Sequence, residues 1–227
     1  MQSLNHYKLF LFDFDGLLVN TEEIHFLAYQ RMCHARGYPL DWDFERYCQA
    51  AHYNPTGLRD HIYSHFPELH QKEPNWDILY AEKKQAVCNL VSQGAVQLMP
   101  GVERFLKRIQ ELGATTCVVT NSPEPLVNLI RYQNPVLEAI PHWLTREHYV
   151  KPKPDPEGYL KAIELFAKEN DSVIGFEDTP RGLTALMGTR ADSVIICKTT
   201  YPEIPTFLNR GAHHFHSFEE LIEKISC

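Results

Sequence analysis

The chain has 227 residues, enough for one large domain or for one domain carrying an insertion. With 44% apolar residues, 22% charged residues and a net charge of −7, it has an ordinary globular composition that argues against nonspecific binding to nucleic acid or to an anionic membrane. No stretch approaches the roughly 20 apolar residues of a membrane span. No signal-peptide layout precedes the first apolar run, and the six cysteines form no C-x-x-C pair, so a reducing, cytoplasmic setting is expected.

Residues 9–19, LFLFDFDGLLV, are an apolar run that stops on two aspartates and a glycine. The run is short and aromatic-rich, which predicts a buried strand ending in a loop. On a continuing strand Asp13 and Asp15 would share one face roughly 6.6 Å apart. Their repulsion at that distance is about 2.5 kcal/mol at an effective dielectric near 20, which a cation would offset. Two solvated turn residues are the plain alternative.

Residues 21–95 carry helical rather than strand spacing, in TEEIHFLAYQRMCHARG, DWDFERYCQAA, TGLRDHIYSHF and NWDILYAEKKQAVCNLV. They predict a helical insertion over 20–97, with linkers near Leu17–Asn20 and Gln97–Gly101, in a core made of 1–19 and 98–227. Beyond the insertion, helix-like segments at 100–113, 154–170 and 179–189 alternate with strand-like runs. The runs are TTCVVTN (115–121), AIPHWLT (139–145), SVIGFED (172–178), DSVIICK (192–198) and a weak AHHFHS (212–217). This alternation predicts an α/β fold with a parallel sheet, which binds ligands at its carboxyl strand ends.

Polar residues gather where these runs end. Thr120, Asn121 and Ser122 close the second run and suit either a phosphoryl group or a turn and helix cap. Lys151 opens KPKPDP, whose prolines stiffen it into a cleft-facing lysine or a solvated basic loop. Glu177 and Asp178 end VIGFED and repeat the acidic pattern of the first run. Two histidine groups, His61 with His65 and His213, His214 with His216, lack partners at zinc-site spacing and read as surface positions.

In order, DFDGLL, VVTNS, KPKPDP and GFEDTPRG resemble the four motifs of the haloacid dehalogenase-like superfamily, and the resemblance spans essentially the whole chain. DFDGLLVNTEEIH is similar to members with a helical cap after the first strand, the β-phosphoglucomutase and phosphoglycolate-phosphatase group. The resemblance implies a Rossmann-like core, a cap domain, and Mg²⁺-dependent hydrolysis of a small phosphorylated metabolite. It assigns Asp13 as the nucleophile and Asp15 as the acid and base. Asp13, the Asp15 backbone carbonyl, Asp178 and Glu177 become the magnesium ligands, with Thr120, Asn121 and Lys151 on the phosphoryl group. The aspartate at position 15 is absent from dehalogenases proper and argues for phosphoryl transfer.

In the cap, Thr21, His25 and a lysine at Lys83 or Lys84 match positions near the substrate in mutase-like members; core packing and a solvated helix face are the alternatives. Asn54 stands near the place of the mutases' phosphate-gripping arginine, with Arg59 displaced onto the next helix, and Asn20 replaces a usual aspartate at the hinge. Hydrolysis is therefore preferred to a sugar phosphomutase or a non-catalytic binding protein. Trp42, Tyr47 and Tyr53 suit either core packing or a pocket for sugar or base, and the oligomeric state is not legible.

Overall fold

The computed structural model describes residues 3–52 and 56–225. The chain divides into two compact units, Met1–Asn20 with Gln97–Cys227, and Thr21–Val96. In the first unit six parallel strands form one sheet: β1 (Leu9–Phe12), β2 (Thr115–Val119), β3 (His142–Leu144), β4 (Val173–Glu177), β5 (Asp192–Ile196) and β6 (His213–Phe215). Their order is β3-β2-β1-β4-β5-β6. β1 is central, and its LFLF side chains are buried on both faces, as a parallel sheet covered by helices requires. Leu9 and Leu11 join one core with Cys117, Val119, Tyr159 and Leu183. Phe10 and Phe12 point the other way, where Phe12 and Phe176 stack at 5.3 Å and Phe105 meets Phe176 edge-on at 5.2 Å.

The chain leaves β1 towards β2 and β3, then crosses to β4 on its other side. This reversal puts a switch point at the carboxyl end of β1. Phe12 is in register with Val118 and with Phe176, so Asp13, Thr120 and Glu177 emerge together at one sheet edge.

The helices of the second unit are α1 (Thr21–Ala35), α2 (Phe44–His52), α3 (Gly57–His65), α4 (Pro67–Lys72) and α5 (Trp76–Ser92). Those of the first are α6 (Val102–Glu111), α7 (Glu124–Gln133), α8 (Glu157–Phe166), α9 (Pro180–Met187), α10 (Ile204–Asn209) and α11 (Phe218–Ile225). Trp42 and Tyr47 are buried in the aromatic core of the second unit and serve packing; Tyr53 and Asn54 lie outside the described residues. Asn20 accepts a hydrogen bond from Gln97 N at 2.8 Å through Oδ1 and donates its own N–H to Gln97 O at 3.0 Å, so the two connections lie against each other. Burial pushes the Cys33, Cys117 and Cys197 thiols up to about 12, which keeps them protonated and unreactive. Among the described residues no helix is long and apolar enough to cross a membrane.

Phe176 is fully buried at the centre of its aromatic cluster. Phe176→Ala is expected to lower the unfolding free energy by about 3–5 kcal/mol, through lost burial and the cavity left behind. Urea titration followed by circular dichroism measures it.

Candidate active site

Three carboxylates converge beyond the strand ends. Asp13 follows β1, Glu177 ends β4 and Asp178 follows it; their oxygens lie within 4.8 Å of one another, and all three residues are buried. The Asp13 backbone N–H donates to Phe176 O at 3.0 Å, which extends the β1–β4 ladder to the site itself.

The cation facing them is Lys153. Its Nζ is bonded to an Asp13 carboxylate oxygen and lies 2.6 Å from Glu177 Oε1, with 6% of the residue exposed. Burial alone would lower the Lys153 pKa, but Asp13 and Glu177 reverse that and hold the ammonium charged. Burial likewise drives the Asp13 carboxyl well above its ordinary range, against the pull of Lys153. The Tyr159 hydroxyl donates to Glu177 Oε1, and its ring lies 4.8 Å from the Lys153 ammonium. A Cβ at Gly182 would fall 1.9 Å from Glu177 Oε2, so only glycine leaves room there for the carboxylate.

The expectation for Lys151 is corrected. Its side chain is 69% exposed and 3.8 Å from Asp155 Oδ2. Glu157, at the start of α8, accepts the backbone N–H groups of Val150 (2.7 Å) and Lys151 (3.0 Å) and pins this segment at the surface. A turn from Pro152 O to Asp155 N, containing the cis Lys153–Pro154 peptide, then carries Lys153 inward, where its N–H donates to Asn121 Oδ1 at 3.3 Å. KPKPDP holds two overlapping Lys-Pro-x-Pro frames, at 151 and at 153, and the second is the buried one.

Asp13 and Asp15 do not sit side by side. β1 ends at Phe12, the chain turns, and Gly16 adopts φ +80°. Phe14 is buried against Trp143, with centroids 5.5 Å apart. Asp15 is only partly buried, and its Oδ2 accepts the hydroxyls of Thr120 (3.0 Å) and Ser122 (2.7 Å). Thr120, expected on the phosphoryl group, is fully buried with its hydroxyl turned to Asp15. Asn121 Oδ1 accepts the Tyr149 hydroxyl at 2.9 Å, and that hydroxyl also bonds Thr120 O at 2.6 Å. Burial pushes the Tyr149 phenol up to about 12, so it remains a donor at neutral pH.

A family model described as haloacid dehalogenase-like hydrolase matches residues 10–196. The chain belongs to this family. Validoxylamine A 7'-phosphate phosphatase of Streptomyces hygroscopicus subsp. limoneus is 28% identical over 179 residues, which are 79% of this chain and 80% of that one. A β-phosphoglucomutase of Mycobacterium tuberculosis (strain CDC 1551 / Oshkosh) is 25% identical over 199 residues, covering 77% of this chain and 75% of its own. The crystal structure of CbbY from Rhodobacter sphaeroides in complex with phosphate superposes with a TM-score of 0.70 at 22% identity, over 95% of this chain and 96% of that one.

For a haloacid dehalogenase-like hydrolase the donor set is suited to a hard divalent cation. The clustered ligand atoms are all carboxylate oxygens, and one ammonium cannot neutralise three carboxylates. Among the described residues no other group of His, Cys, Asp or Glu has this geometry, and the histidine groups do not form one. His65 instead meets Asp41 at 2.9 Å, and His214 meets Cys197 O at 3.0 Å.

In the second unit Thr21 is buried at the start of α1, and His25 Nδ1 lies 2.7 Å from Lys83 Nζ. Lys83 falls on the buried face of α5 with Leu79, Val87 and Leu90, its ammonium 4.9 Å from the Tyr29 ring. Lys84, one residue further round the helix, is exposed beside Tyr80.

Lys153→Met is expected to reduce turnover on the order of 10²–10³-fold. Lys151→Met, at the surface, should stay within about twofold. Steady-state assays of the two variants side by side test this division. Gly182→Ala should displace the Glu177 carboxylate and cost about 10²-fold, with the fold intact by circular dichroism.

Proposed function

We propose that this protein is a phosphatase that hydrolyses a small phosphorylated metabolite through a phosphoaspartate at Asp13. The observation that carries the reading is the buried ammonium of Lys153 bonded to Asp13 beside two further carboxylates at the sheet's switch point. Asp13, Glu177 and Asp178 would hold Mg²⁺, which when bound supplies positive charge against the carboxylates and the transferring phosphoryl group. The Asp15 backbone carbonyl is a fourth candidate ligand.

An Asp13 carboxylate oxygen attacks phosphorus, the bond to the leaving oxygen breaks, and that oxygen takes a proton from Asp15. Asp15, now a carboxylate, accepts a proton from water as its oxygen attacks the phosphoryl group. The Asp13–phosphorus bond breaks, which returns Asp13 ionised and Asp15 protonated and releases inorganic phosphate. Lys153 keeps Asp13 oriented and presents positive charge where charge on the phosphoryl oxygens must be matched.

A mutase reading has one observation in its favour, the similarity to a β-phosphoglucomutase. A mutase needs a second phosphate clamp. Arg59, the nearest arginine to that expected place, lies on α3 with Nε 2.8 Å from Asp60 Oδ1, and Asn54 supplies no cation. Hydrolysis is the better-supported reaction.

Release of p-nitrophenol from p-nitrophenyl phosphate should require magnesium, stop with chelator and resume when magnesium is restored. Asp13→Asn should abolish it while the protein stays folded. Silence across a broad panel of phosphate esters would favour a binding role. With a hexose 1-phosphate and a bisphosphate primer, isomerised product exceeding free phosphate would favour the mutase.

A further inference from the structure

Tyr149 is buried, and its hydroxyl is shared between two oxygens of the loop after β2, Thr120 O at 2.6 Å and Asn121 Oδ1 at 2.9 Å. Asn121 Oδ1 also accepts the Lys153 backbone N–H at 3.3 Å. That N–H can only donate, so the amide atom turned to it is the oxygen. Tyr149 is itself held on two sides. Arg146 donates to its carbonyl at 2.7 Å with the guanidinium 5.6 Å from the ring. A Cβ at Gly158, in the first turn of α8, would fall 3.1 Å from Tyr149 Cε1. Other ties of this segment run elsewhere: Glu157 takes the N–H groups of Val150 and Lys151, and further back Arg146 N reaches Ser122 O at 3.1 Å. Among the described residues, segment 149–153 is hydrogen-bonded to the loop after β2 through the Tyr149 hydroxyl and the Lys153 N–H alone.

We propose that Tyr149 is a positioning residue for Lys153: through the Asn121 amide it fixes the backbone from which the buried lysine reaches Asp13 and Glu177. This rests on the reading of Lys153 as the group that orients Asp13 and faces the phosphoryl group. The contacts at Nζ set where the ammonium ends. A lysine stem is flexible, however, and meets the same carboxylates from more than one backbone position. The N–H bond to Asn121 selects one of them. The Asn121 side chain turns about its own bonds, and the Tyr149 hydroxyl keeps its oxygen on the Lys153 N–H. Without that hydroxyl the amide is free to turn away, and the turn from Pro152 to Asp155 loses its tie to the end of β2. Tyr149 therefore acts through Lys153 and needs no contact with substrate.

Two readouts on the full chain test this in wild type, Tyr149→Phe and Asn121→Ala. By NMR amide hydrogen exchange, the Lys153 N–H should exchange about tenfold faster in either variant, the scale of one lost hydrogen bond. The Asp13 N–H, bonded to Phe176 O, should keep its wild-type rate. With 2,4-dinitrophenyl phosphate and magnesium, kcat/KM should fall about tenfold in either variant, short of the roughly 10²-fold that a misplacement of 1 Å costs. The double variant should lose no more than the single ones. In a Lys153→Met background each change should cost under about twofold, because the group it positions is gone. Asn121→Ala, at a half-buried position, carries both readouts should Tyr149→Phe not fold. An unchanged exchange rate at Lys153, or an equal loss with and without the ammonium, overturns the positioning role and leaves Lys153 in the site. If wild type turns over no phosphate ester, the phosphatase reading fails, and exchange at Lys153 decides by itself whether Tyr149 holds it.

Discussion

The site depends on the contact of one buried ammonium, Lys153, with Asp13 and Glu177. A lone ammonium in that position would be too costly to bury, and the two carboxylates would be costly without it. Each side of the pair therefore enforces the other, across 140 residues for Asp13 and Lys153 and 24 for Lys153 and Glu177. The sheet makes this convergence possible, because neighbouring parallel strands deliver Asp13 and Glu177 at the same level. Tyr159 and Gly182 complete the enclosure: the hydroxyl gives Glu177 Oε1 a second partner, and the missing side chain leaves space for Oε2. These contacts hold Asp13 and Glu177 in place, and positioning is what phosphoryl transfer needs more than covalent help.

Much of this was legible in the amino-acid order. The strand runs are apolar and bounded by small polar or acidic residues, so their existence and their carboxyl ends could be read directly. What stayed hidden is instructive. Lys151 and Lys153 head overlapping frames of one motif, and local chemistry does not separate them. The choice is made by Glu157, which takes two backbone N–H groups from the first turn of α8, a contact that depends on where that helix starts. Ser122 was legible as a phosphoryl-binding or a turn and cap residue but not as a partner of Asp15, which lies 107 residues away. Lys83 and Lys84 are adjacent, and only the buried face of α5 distinguishes them.

The two aspartates of DFDG show why spacing on a strand misleads at a strand end. The i, i+2 rule puts both on one face, but β1 stops a residue before the first of them. The turn that follows gives them opposite surroundings. Asp13 is buried against an ammonium, while Asp15 is partly exposed and held by neutral hydroxyls. Two carboxyl groups separated by one residue thereby meet different environments.

The acidic cluster, Lys153 and the Asp15 hydroxyl pair all belong to the first unit, outside residues 21–96. The insertion enters after Asn20 and leaves at Gln97, and those two residues pair through Gln97 N with Asn20 Oδ1 and Asn20 N with Gln97 O. The asparagine carbonyl accepts that N–H as an aspartate carboxylate at the hinge would, so the loss of charge leaves the pairing intact. With its entry and exit tied together, the inserted sequence can change in length and side chains without pulling on β1 or on the acidic loop beyond it. A phosphatase and a mutase each align over at least three quarters of this chain.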